Sequence, residues 1–138
     1  MHVAAPLLLA ALALTAGCAR SDGVAGSDTS DTGPAGLRAV IAALCAARDA
    51  ALGGDSARAR TIFFDDAHYR LHELAEAASG DRRAVARLLE AKQRVEDDLT
   101  TATIGSGDDL SEDLADLAVA SADAAEVTGE PRPAPCAA

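Results

Sequence analysis

Apolar residues recur at three- and four-residue spacing in four successive stretches of this 138-residue chain. Stretch 35–52 carries Leu37, Val40, Ile41, Leu44, Ala51 and Leu52 in that rhythm, and stretch 56–79 sets Phe64, Ala67, Leu71, Leu74 and Ala78 on one face. The pattern returns at 81–102 with Val85, Leu88, Leu89, Val95 and Leu99, and at 110–127 with Leu110, Leu114, Leu117, Ala118 and Ala125. This is the period of an amphipathic helix with its apolar stripe turned to a core. The breaks between stretches are helix punctuation. "GGD" at 53–55 supplies glycine stops, with Asp55 or Ser56 as an N-cap, "SGD" at 79–81 breaks the second stretch, and "GSGDD" at 105–109 reads as a loop. No alternating β-branched run appears. The expected fold is all-α, a four-helix up-down-up-down bundle over 35–128 with an Ala- and Leu-rich seam. A Pro-rich tail, "GEPRPAPCAA" over 129–138, cannot continue the last helix.

The segment before the bundle is of another kind. Residues 3–14 form an apolar run, too short for a helix spanning a bilayer, which needs about 20 residues. It matches the h-region of an export signal. The run closes on "LTAGC", with small residues at Ala16 and Gly17 before Cys18. This resembles the lipobox of bacterial lipoproteins. The resemblance implies a signal peptide over 1–17, cleavage before Cys18, diacylation of its thiol and acylation of the new amino group. The alternative is a non-lipidated export signal cut near Ala16. Residues 18–34 then hold the lipidated cysteine and a linker, "ARSDGVAGSDTSDTGP", dominated by Gly, Ser, Asp and Thr and without period. About 16 such residues span roughly 22 Å.

Charge narrows the partners. All 12 Lys and Arg and all 22 Asp and Glu follow Cys18, so the mature chain is strongly acidic. This argues against nucleic acid, which needs clustered positive charge, and against general attraction to anionic lipid. The Ala- and Arg-rich, Lys-poor usage resembles that of high-GC bacterial genomes.

Two cysteines remain after Cys18. In an exported chain the pair Cys45 and Cys136 is most simply a disulfide. Cys45 lies about 15 Å along the first helix, and nine extended tail residues reach about 28 Å, so the tail can fold back onto it. Two free thiols, or an intermolecular bridge through Cys136, are the alternatives.

The candidate chemistry is one stretch, "DDAHYRLHE" at 65–73. On a helix Asp65, His68, His72 and Glu76 fall within an arc of about 80°. Two histidines one turn apart can share zinc or copper, which then needs a third ligand. Asp65 and Glu76 lie about 16 Å apart along a helix and cannot both serve. The acidic fourth helix, with Asp113 and Asp116, is the expected source of another carboxylate. The competing reading makes His72 and Glu76 a solvated face and His68 a boundary histidine bonded to a carboxylate. Charges on apolar faces are a second oddity. Arg48 and Lys92 either extend to the rim or enter an interhelix pair such as Arg48 with Glu96.

Other sites are excluded by spacing. Tyr69 follows His68 where HExxH needs Glu, a di-iron site needs two Glu-x-x-His motifs, and the sole methionine is Met1. CxxCH, GxSxG, Walker and GxGxxG motifs are missing, and "GSGDDLSED" lacks EF-hand spacing. No enzyme is expected. Lipobox, tether, helical domain and Pro-rich end together resemble the small, uncharacterised helical lipoproteins of high-GC Gram-positive bacteria. The resemblance implies a lipid-anchored protein on the extracytoplasmic face of the cell membrane. The expected role is an interaction or accessory module of the envelope, meeting the membrane through Cys18 and an envelope protein through the bundle. The alternative is a divalent-metal-binding lipoprotein using His68 and His72.

Overall fold

A computed structural model describes residues 34–101 and 107–136. The signal, Cys18 and most of the linker lie outside the described residues. Five helices follow in order: α1 (Pro34–Leu52), α2 (Ser56–Ile62), α3 (His68–Ala77), α4 (Arg82–Thr100) and α5 (Gly107–Val127). A π-helical turn, Phe63–Ala67, joins α2 to α3 without a break, so the described residues make four helical rods. The fold is all-α, with no strand among the described residues. No helix among them is long and apolar enough to cross a membrane.

The π turn corrects the expected uninterrupted α-helix over 56–79. Ala59, Phe63, Ala67 and Leu71 are all fully buried, at steps of four. Four residues of α-helix turn about 400°, so this series would drift off its face by about 40° per step. Widening one turn absorbs the drift. The His68 N–H bonds to the Phe63 carbonyl, an i to i+5 closure. Phe63, rather than Phe64, therefore enters the core.

Local chemistry sets the ends. Gly54 takes φ +77° after α1, while Gly53 N–H and Asp55 N–H bond to the carbonyls of Asp49 and Ala50. Asp55 caps α2 by accepting from Arg58 N–H at 3.0 Å. Asp81 caps α4, accepting from Arg83 N–H at 2.9 Å and Ala84 N–H at 3.0 Å. The bond from Ala84 and then that from Arg83 hold the Asp81 carboxyl below its usual range. Helix α5 begins at Gly107, inside the loop expected at 105–109 and three residues before the expected start at Leu110.

α1 packs on α5, on α2 and on the π turn, α4 packs on α5, and α3 reaches α4 and α5. Leu44, Leu71, Leu88, Leu110, Leu114 and Leu117 are wholly buried at the centre, each contributing about 1.5–3 kcal/mol. Ala47, Ala51, Ala118, Ala122 and Ala125 fill the seam and permit close approach. Gly107 meets the end of α1 so closely that a Cβ there would lie 2.9 Å from the Ala51 carbonyl oxygen. In the last turn of α2, the Arg60 guanidinium donates to the Leu99 carbonyl near the end of α4. Cys136 folds back and joins Cys45 in a disulfide with a Cα–Cα distance of 5.3 Å.

Candidate functional site

All the aromatic residues of the chain, Phe63, Phe64 and Tyr69, lie in or just after the π turn, beside His68 and His72. Phe63 anchors the group from the core. Phe64 meets it edge-on at 5.1 Å between ring centroids and carries the Arg60 guanidinium 5.3 Å above its own ring. The His68 ring lies 5.5 Å from Phe64 and 5.1 Å from His72, the latter nearly perpendicular. Outside this packed row Tyr69 is 71% exposed.

His68 begins α3 at the boundary between core and solvent. Its Nε2 lies 2.7 Å from Glu96 Oε1 on α4. The same Glu96 oxygen takes Lys92 Nζ at 2.7 Å, one turn earlier on α4. Lys92 is only 5% exposed. Extension of Lys92 to the rim is therefore corrected: its ammonium stays inside because Glu96 neutralises it there. The interhelix partner that the sequence left open for Glu96 includes His68, in line with the boundary-histidine reading.

The other expected ligands are dispersed. Asp65, His72 and Glu76 are exposed. Asp113 and Asp116, expected as a source of ligands, instead take Arg94: its Nε donates to Asp113 at 2.8 Å and its Nη2 to Asp116 at 3.2 Å. Among the described residues no group of three or more His, Cys, Asp or Glu side chains is placed to hold a metal ion.

Sequence reasoning missed a second polar cluster between α4 and α5. Asp98 Oδ2 is buried and finds no hydrogen-bond partner. Burial, then a hydrogen bond with Asp113 and the charges of Asp113, Asp109 and Asp97, push the Asp98 carboxyl above its ordinary range. The run "EDD" at 96–98 carried no hint of which acid faces α5, since helical phase alone leaves Asp98 at the edge of the apolar stripe.

The fold and these clusters define a disulfide-clipped helical bundle with an aromatic and histidine face. None of the protein-family models, curated proteins or solved structures compared with this chain matches it.

Proposed function

We propose that the chain is a lipid-anchored, extracytoplasmic interaction module whose contact face is built on the π turn. The observation that carries this is Tyr69, 71% exposed beside the packed row of Phe64, His68 and His72. Tyr and Arg are enriched at binding hot spots, and Tyr buries much area with only two rotors to freeze. A π turn also recurs at functional positions, since it sets side chains out of ordinary helical phase. The lipobox ending in Cys18 supports the anchor and the compartment. The bundle is proposed to run up-down-up-down. The short connections at 53–55 and 78–81 support that order, as do the meetings of Gly107 with Ala51 and of Arg60 with Leu99.

Photo-crosslinking in the producing cell tests the face. A photoreactive residue at position 69 is expected to give a discrete adduct to an envelope protein. The same residue at 119, where Val119 is also exposed, is expected to give none. Matching patterns from the two positions, or no adduct from 69, reject the reading.

Divalent metal binding at His68 and His72 is the second reading. It is favoured by Glu96, a carboxylate from another helix that reaches 2.7 Å from His68 Nε2. Lys92 competes for that oxygen. Zinc or copper would have to displace the ammonium, so the melting temperature of a Lys92→Met variant should rise with metal by more than that of the parent. A melting curve indifferent to both metals in both proteins rejects it.

A further inference from the structure

Net charge predicts that this chain is repelled by an anionic surface, but the charge is unevenly placed. The acids crowd one end. "EDD" at 96–98 closes α4, and five acids fall between Asp108 and Asp116 at the start of α5. At the opposite end, where α1 begins, α4 opens with Arg82, Arg83 and Arg87, all exposed, and α1 carries exposed Arg38 in its second turn. Several acids at this end are already engaged. Asp81 caps α4, and Arg132 of the clipped tail pairs with Asp123 at 2.8 Å and with Glu126 at 3.8 Å. Glu76 and Glu130 also lie there, so this end is near balance while the other is strongly negative.

The tether enters at the balanced end. α1 begins at Pro34, and only about 16 residues separate it from Cys18, a span of roughly 22 Å. A 19-residue helix is about 28 Å long, more than three Debye lengths at physiological salt, where one is about 8 Å. The arginine-bearing end can therefore reach the headgroup layer while the acidic end stands outside its field. We propose that the end bearing Arg38, Arg82, Arg83 and Arg87 rests on anionic phospholipid headgroups and turns the acidic end outward. This inference rests on the reading of Cys18 as lipidated and of the bundle as up-down-up-down. Arg60 and the π turn, toward the acidic half, then remain open to a partner.

The test is arginine footprinting with phenylglyoxal on the lipidated full chain reconstituted in vesicles, read by mass spectrometry. Exposed Arg58, on α2 at the acidic end, is the internal reference. On vesicles containing phosphatidylglycerol, modification of Arg82, Arg83 and Arg87 relative to Arg58 is expected to fall about fivefold. The protection should vanish on pure phosphatidylcholine and in about 1 M salt, where the Debye length is about 3 Å. Arg82→Glu with Arg83→Glu should abolish it at Arg87. Equal modification on both vesicle types overturns the proposal, as does equal protection on both, which would mean contact with neutral lipid or a second copy. A chain that floats with neither vesicle and carries no lipid mass at Cys18 overturns the anchoring reading and the docking with it, a result distinct from uniform modification of an anchored chain.

Discussion

His68 Nε2 on α3 and Glu96 Oε1 on α4 lie 2.7 Å apart, and the buried Lys92 ammonium shares the same oxygen. One carboxylate thus joins two rods and neutralises an internal charge. Glu96→Gln leaves Lys92 without its counter-charge and is expected to cost about 3 kcal/mol. Lys92→Met removes the charge and keeps the volume, so a change within about 1 kcal/mol is expected. Urea unfolding of the two variants checks this, and equal losses would contradict it.

The Cys45–Cys136 bridge closes a sequence separation of 91 residues. Cross-linking so distant a pair restricts the unfolded chain, and Cys136→Ser is expected to lower stability by about 4 kcal/mol in the chain-entropy model. A non-reducing peptide map should show the joined peptides, and the melting temperature should fall on reduction.

Asp98 makes stability depend on pH. Its carboxyl is raised by burial and by the Asp113 contact. The folded state therefore holds its proton more tightly than the unfolded state, whose value is near 3.8. The stability this group contributes is complete below that value and is lost as pH rises through the raised folded pKa. Asp98→Asn cannot ionise and can still donate to Asp113. At neutral pH it should melt higher than the parent, by a few degrees for each ~1 kcal/mol gained. The difference should shrink toward pH 4, and a pH-independent difference would contradict the assignment.

Gly107→Ala opposes helix propensity to packing. Propensity alone favours alanine by up to about 1 kcal/mol. Here the new Cβ would lie 2.9 Å from the Ala51 carbonyl, and pushing α5 away from α1 should cost about 1–3 kcal/mol. The variant should unfold at lower urea, and a stabilised variant would show that the two helix ends are free to part.

Cys18→Ser tests the anchor. It should abolish incorporation of labelled fatty acid and move the chain out of the membrane fraction, because the anchor's strength comes from its acyl chains, at about 0.8 kcal/mol per buried CH₂. Retention in the membrane without label would reject lipid anchoring.

Much of this molecule is written in local spacing. Steps of three and four set the apolar stripes of α1 and α5, Asp55 and Asp81 mark helix starts, and Gly54 marks a stop, because caps and periodicity involve only residues a turn or two apart. The disulfide was legible for a related reason: the first helix and the tail bring two cysteines within reach of each other, and a pair so placed is most simply a bridge. The π turn was half visible, in the 4-4-4 spacing of Ala59, Phe63, Ala67 and Leu71. Choosing between drift and a widened turn needed the packing of α1 against that face. Lys92 and Glu96 could be read only as alternatives, and Asp98 not at all, because much of what encloses them comes from other helices. Whether Lys92 is a rim charge or a buried ammonium depends on the carboxylate beside it and the rods that enclose both. Whether Asp113 serves His68 or Arg94 depends on which helix lies next to α5. Those are choices of tertiary neighbour, and a single helix's period carries no information about the phase of the next.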